Sequence, residues 1–353
     1  MSQALAPLGG GQTVAPRLRV TANGRNVPWP KSSHVSVYNN YRAGQFWVEI
    51  ATKDTDALSM AWWAADEQSA IELEVFYCFE GQTSWQSMIV GDVDNIDYDL
   101  RGNTVSVTGR DLTGRLIDAK TADIYANLTS SEIITMLCNS LGKDANGQPI
   151  LTPVVTPTTN VVGQYYAYDH VRIALGGFSR AITKWDLATY LAQNENFDLF
   201  VEGRSLYFQP KAQPTSPPYV VQWSRYGGMP WANVVSANPR RSLTIAKGVS
   251  VTVKSWNSGS AKRVVETAGT ANDQGQTYVL YRPNLTIAQA SQLAQQTLAT
   301  ITKHEKALEI DMPGELNLTP RMLLQLGGTG TAFDRRDHGA TPAIRGFPPF
   351  SLV

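Results

Sequence analysis

Cysteine is scarce: Cys78 and Cys138 are the only two in 353 residues. They fall in different expected elements, Cys78 at a strand end and Cys138 inside a helix, and no Cys-x-x-Cys occurs. That excludes a zinc knuckle and a thioredoxin-like dithiol. Two small buried side chains in a reducing compartment are expected instead. Charge of one sign is also missing, since 30 basic and 30 acidic residues cancel. Without a Lys and Arg surplus the chain is no general nucleic-acid binder, although a local basic patch is not excluded. No run of about 18 consecutive apolar residues exists, so no membrane span is expected. Residues 1–16, rich in Gly, Ala and Pro, lack the basic start and apolar stretch of a secretion signal and read as a flexible segment. The chain is expected to fold in the cytoplasm and to leave the cell, if at all, by assembly into a particle.

Catalytic and metal-binding patterns are missing too. His304-Glu305 begins like a zinc-protease helix, but the second histidine would stand at Leu308. The four histidines, His34, His170, His304 and His338, never fall at ligand spacing. There is no Gly-x-Ser-x-Gly elbow. Gly327-Gly328-Thr329-Gly330-Thr331 lacks the Lys-Ser/Thr ending of a phosphate loop and reads as a turn. Asp92, Asp94, Asp97 and Asp99 resemble a calcium loop only in part. The sixth position should be Gly and the twelfth Glu, and here they are Asp97 and Asn103. Carboxylate pairs could serve glycoside hydrolysis, but nothing marks one as the acid with a raised pKa. Of nine tryptophans, Trp62 and Trp63 are adjacent. On a strand they would point to opposite faces, so burial in a core or an interface is favoured over a flat sugar platform. No catalytic residue, cofactor or metal is therefore expected.

What is present is strand alternation. The length suits two or three domains. Leu18 and Val20 alternate with polar neighbours, and Asn23-Gly24 is a tight-turn signal. Phe46–Ile50, the series Ile71, Leu73, Val75 and Tyr77, and the pair Val105 and Val107 follow at period two. These predict a β-barrel or sandwich over residues 17–116. From 117 to 215 the pattern becomes α/β. Thr129 with Glu132 predicts a capping box, Ile134, Leu137, Cys138 and Leu141 a helix, and Gly142 its cap. A Pro/Thr/Gly stretch over 143–160 reads as a loop or linker. Thr183 and Asp186 open a second helix, followed by a hairpin with its turn at Glu202-Gly203. From 216 to 353 strands return at Tyr219–Trp223, Val249–Val253 and Leu316–Leu326, interrupted by a helical insertion at about 286–304 that Thr286 and Gln289 cap. The expected class is α+β, β-dominated: two tube-like β-barrels with an α/β unit between them. Two β-rich regions of similar size suggest a duplication, although no repeat is visible.

Five segments, in this order and spacing, resemble the phage tail baseplate hub family, which includes Mu-type tail proteins, late-control D-like proteins and the hubs of gene transfer agents. They are Val107–Thr113 with its Gly109-Arg110-Asp111 junction; Thr183–Leu187, with Trp185-Asp186, through Phe197–Val201 to Gly203 and Leu206–Pro210; Val251–Trp256; Pro283–Thr286 with the helix after it; and Pro313-Gly314 followed by Gly328–Thr331 and Asp334. The resemblance implies that Gly109, Arg110, Asp111, Trp185, Asp186, Gly203, Trp256, Gly314 and Asp334 are structural positions. It also implies a homotrimeric symmetry adaptor in the virion tail baseplate. Its partners would be the tail tube or distal tail protein, the central spike protein and the tape-measure protein, with DNA only in transit through a channel. Before incorporation it would reside in the host cytoplasm. The sequence departs from the family pattern after Asp334, where a Pro/Gly/Phe-rich tail leaves the last barrel strand absent, replaced or supplied by a neighbour. Two readings of other classes remain open, a tail-associated cell-wall hydrolase and a glycan-binding tail module.

Overall fold

A computed structural model of the chain describes residues 16–38, 40–65, 70–79, 83–121, 123, 125–144, 147–159, 161–162, 164–165, 172–173, 182–211, 218–226, 229–257, 262–270, 275–282, 285–312, 318, 324–331, 333 and 350–352. It divides into two compact units. The first comprises residues 1–215, 314–321 and 347–353, and the second 216–313 and 322–346.

The first unit opens with β1 (Pro16–Ala22), β2 (Arg25–Asn26), β3 (Pro30–Val37), β4 (Gln45–Ala51), a one-turn helix α1 (Met60–Trp63), β5 (Glu72–Phe79), β6 (Gln86–Asp99) and β7 (Thr104–Asp111). Asn23 and Gly24 both take positive φ, 48° and 74°, as the predicted turn between β1 and β2 requires. The strands pair antiparallel in the order β2-β1-β5-β6-β7-β4-β3. β1 and β3 lie five places apart in that order yet approach each other, so the sheet curls into a half-barrel. Alternation sends Val20, Val48, Ile50, Leu73, Val75, Val105 and Val107 to its inner face, where they form one buried cluster with Trp63. Trp62 and Trp63 are helical, not extended, and their rings meet edge to face at 4.9 Å. Trp63 is buried, as expected, although the strand premise behind that expectation does not hold.

The α/β part follows with α2 (Thr113–Asp118), β8 (Lys120–Thr121), α3 (Ser130–Asn139), β9 (Thr152–Val155), β10 (Gln164–Tyr165), β11 (Arg172–Ile173), β12 (Ile182–Thr183), α4 (Lys184–Glu195), β13 (Phe197–Glu202) and β14 (Ser205–Pro210). Thr129 and Glu132 form the complete capping box. Thr183 accepts from the Asp186 amide at 2.9 Å and caps α4. Gly142 lies two residues beyond the Ser140 cap, in a left-handed turn at φ 82°. Leu116, Ile133, Ile134, Leu137, Trp185, Leu191, Leu199 and Phe208 share a second core. The stretch read as linker contains β9, which runs parallel to β14 at the edge of the sheet β13-β14-β9. Its Pro153 is tolerated because an edge strand leaves one side of its backbone unpaired. Adjacent β6 residues divide between the two cores, Ile89 to the first and Val90 to the second. Cys78 lies in β5 and Cys138 in α3, both buried and neither in a disulfide.

The second unit contains β15 (Tyr219–Tyr226), β16 (Met229–Ala232), β17 (Ser236–Arg241), α5 (Leu243–Ala246), β18 (Val249–Asn257), β19 (Lys262–Gly269), β20 (Gln276–Tyr281), α6 (Ile287–Thr302), β21 (Lys306–Asp311) and β22 (Leu324–Gly327). Three sheets result: β16-β15-β22, β17-β21 and β19-β18-β20. The Thr286–Gln289 box caps α6 as predicted. α6 packs on β18 and β19 around Val253, Val264, Ala290 and Ala294. A separate small core joins Val221, Val234, Leu308 and Leu326. The two β-rich regions are therefore built differently among the described residues. The described strand of the terminal tail, β23 (Phe350–Leu352), extends the first sheet by pairing with β3.

Candidate functional site

The Gly109-Arg110-Asp111 junction closes β7 and starts α2. A Cβ on Gly109 would lie 2.1 Å from the Asp92 carbonyl oxygen and 2.4 Å from the Phe46 ring. The register of β6 against β7 shifts between Val93 and Asn95, and this bulge brings the two backbones so close that only glycine fits. Gly91 is the counterpart on β6, its added Cβ lying 2.0 Å from the Arg110 carbonyl oxygen.

Arg110 donates from Nε and Nη2 to Asp94 at 2.7 Å each, and from Nη2 and Nη1 to Asp118 at 2.9 and 3.2 Å. It thereby ties β6 to the end of α2, and both carboxylates raise its already high pKa. Asp111 is buried. It accepts from the Gly44 amide at 2.7 Å and the Thr113 amide at 3.0 Å, so it holds the β3–β4 connection and the first turn of α2 together. Burial pushes its carboxyl up to about 6, against the lowering effect of those hydrogen bonds.

A second ionic cluster escaped sequence reasoning. Arg115 donates to Asp92 at 2.6 and 2.7 Å and lies 4.0 Å from Glu72. Glu72 also pairs with Arg204, which lies 3.8 Å from Asp144. Arg204 follows Gly203, whose φ of 57° makes the β13–β14 turn. Glu72 and Arg204 stand 132 residues apart, so no local pattern announces the pair. Burial, helped by the nearby Asp92 and Asp144 charges, raises the Glu72 pKa against the lowering effect of its two arginines.

The acidic run of β6 is thus dispersed. Asp92 and Asp94 bind arginines, and Asp99 accepts from the Arg101 and Gly102 amides at 3.0 Å each. Among the described residues no three His, Cys, Asp or Glu side chains are placed to hold a metal ion. Trp185 is buried in the second core, its indole N–H directed at the Tyr41 carbonyl at 3.4 Å, while Asp186 is exposed. Trp256 is 58% exposed on β18. Gly314, Asp334, His170 and His338 lie outside the described residues. The glycine-rich run forms a turn after β22, with Gly328 and Gly330 at positive φ and the Thr329 and Thr331 hydroxyls 2.7 Å apart. It lines a shallow depression beside Trp223 and Pro239.

No family model matches the chain. No curated protein matches it either. Solved structures do. The tail protein from Neisseria meningitidis MC58 aligns with a TM-score of 0.64 and 18% identity, over 89% of this chain and 86% of that one. The 43 kDa tail protein of prophage MuSo2 from Shewanella oneidensis aligns with a TM-score of 0.58 and 16% identity, over 91% and 89%. The class defined is a β-dominated α+β fold with a curled sheet. Within that class, the chain has the fold of these tail proteins.

Proposed function

We propose that this chain is a structural baseplate hub of a phage tail. Three copies would join a sixfold tail tube to a threefold central spike and enclose a channel for DNA and the tape-measure protein. The observation that carries the reading is the near end-to-end fold match to two tail proteins. The junction chemistry is consistent with it. Arg110, Asp111 and Arg115 are spent on binding β6, β7, α2 and the β3–β4 connection to one another. A trimer of chains with two β-rich units each would present six units to a tube and three copies of the chain to a spike. The residence of the protein is then the virion tail, after assembly in the host cytoplasm.

Reconstruction of the intact particle tests this. The expected result is a threefold ring at the base of the tube. A peripheral fibre, or a sixfold ring with one copy per tube subunit, would overturn it. The hydrolase reading predicts clearing on a cell-wall zymogram by the pure protein, lost on mutating one Asp or Glu; no clearing is expected. The glycan-binding reading predicts retention on host polysaccharide, and none is expected.

A further inference from the structure

Among the described residues, α6 packs on one face of the sheet β19-β18-β20, and the other face is open from Thr252 to Trp256 but closed at Ser250. Val253, Val264, Ala268 and Leu280 point toward Ala290, Leu293 and Ala294. Register places the remaining residues on the outer face. Trp256 stands opposite Arg263, Lys254 lies between Val265 and Tyr281, and Thr252 lies between Thr267 and Val279. Trp256 is 58% and Tyr281 70% exposed. The Lys254 ammonium lies 5.7 Å from the Tyr281 ring centre. These rows contain no carboxylate, since Glu266 pairs with Val253 and belongs to the helix side. Scattered exposed apolar residues need no account, but contiguous Trp, Tyr and Val with Lys and Arg match the composition of interface centres.

The first unit carries the complement. On the β6–β7 hairpin, Ile96 packs on the first core, and Tyr98, 40% exposed, lies on the same side opposite Val105, its hydroxyl donating to the Trp63 carbonyl at 2.8 Å. Asp97 and Asp99 therefore face outward, opposite Ser106 and Thr104. Ser106 is in turn opposite Glu49, which Lys31 neutralises at 2.7 Å, so the acidic charge of this face rests on Asp97 and Asp99. Leu100 protrudes at the tip, 77% exposed.

We propose that the outer face of β18, β19 and β20 receives the β6–β7 hairpin of a second copy of this chain. Leu100 packs between Trp256 and Tyr281, and Asp97 and Asp99 approach Lys254 and Arg263. The inference rests on the self-association in the hub reading and names the contact that makes it. The two surfaces differ, so the interface is heterologous and propagates into a ring or an open chain. Single-stranded nucleic acid also suits an aromatic and cationic face. Two cations on that face neutralise few phosphates, however, and the matching acidic surface is present on the chain itself.

The test uses full-length protein, half of it labelled with 15N, treated with a zero-length carbodiimide. The expected product is a cross-isotope peptide joining Asp97 or Asp99 to Lys254. Sedimentation should show the weight-average mass falling to that of the monomer in Trp256→Ala and in the double variant Lys254→Glu/Arg263→Glu. Mixing the latter with Asp97→Lys/Asp99→Lys should restore heterotypic association, because the reversed charges match again. The wild-type cross-link decides the matter even if a variant folds poorly. Its absence at the highest soluble concentration overturns the proposal, as does assembly indifferent to these variants. Three-copy assembly without the link leaves the hub reading standing and removes this contact. The link within dimers or open chains keeps the contact and removes the threefold reading. Binding of a single-stranded oligonucleotide that Trp256→Ala abolishes, with no cross-link, overturns the proposal in favour of nucleic acid.

Discussion

Replacing Asp111 with asparagine should change the pH dependence of stability in a direction opposite to that of an ordinary salt-bridged carboxylate. The Asp111 carboxyl is buried and holds the Gly44 and Thr113 amides, yet burial outweighs those bonds and raises its pKa from 3.8 to about 6. A group with a raised folded-state pKa binds its proton more tightly in the folded than in the unfolded chain. Its stabilising contribution is complete below about 3.8 and is lost as pH rises through about 6. With 1.36 kcal/mol per pH unit, the shift from 3.8 to about 6 corresponds to about 3 kcal/mol. The substituted asparagine would not titrate. It resembles the protonated acid in shape and keeps one strong acceptor, at the cost of about 1–3 kcal/mol for the amide it fails to satisfy. Urea unfolding of Asp111→Asn and wild type between about pH 4 and pH 7.5, with hydrogen exchange of peptides spanning 105–118 as the local readout, measures the difference. The wild type should lose about 2.4 kcal/mol relative to the variant across that range, because part of the contribution is already gone at pH 4. A constant gap, or a wild type that gains on the variant as pH rises, would refute burial as the dominant influence on this carboxyl.

Trp185→Ala should lower the stability of the first unit by about 3–5 kcal/mol, because the ring fills the second core; an unchanged melting temperature would place the ring at a partner contact instead. Gly109→Ala should disturb the β6–β7 bulge, since the new methyl would lie 2.1 Å from the Asp92 carbonyl oxygen. Loss of exchange protection in residues 91–94 and 108–111 would report it, and wild-type protection would show that the bulge can open. Burial pushes the Cys138 thiol up to about 12, so iodoacetamide at neutral pH should label it only after unfolding; mass spectrometry of native and denatured samples separates the two cases.

Much of the architecture was legible in short stretches of sequence because the forces that set it are local. The Thr129–Glu132 and Thr286–Gln289 boxes act within four residues, and both appear where their pattern predicted. The left-handed Asn23-Gly24 turn and the alternation of Val105 and Val107 are equally local, and the buried, unbridged state of both cysteines followed from residue type. Gly109-Arg110-Asp111 entered through the resemblance and not through any local pattern, and the contacts it makes were not legible. The close approach at Gly109 needs the β6 bulge, and the burial of Asp111 needs Gly44, 67 residues earlier.

Other features were decided by the tertiary structure alone. Trp62 and Trp63 form a helical turn because Trp63 fills the half-barrel core and Tyr98 donates to its carbonyl. Thr152–Val155 becomes a strand, despite Pro153, because β14 offers an open edge. The Arg115–Glu72–Arg204 cluster joins residues that meet only after the hairpin β13–β14 is placed. Phe350–Leu352 pairs with β3, at the end of the first sheet, a choice that these three residues do not encode by themselves. By itself, the sequence determined the elements held within one turn or one alternating strand. Only the tertiary structure decided which edges and charges would meet, because those energies depend on distances that sequence separation does not measure.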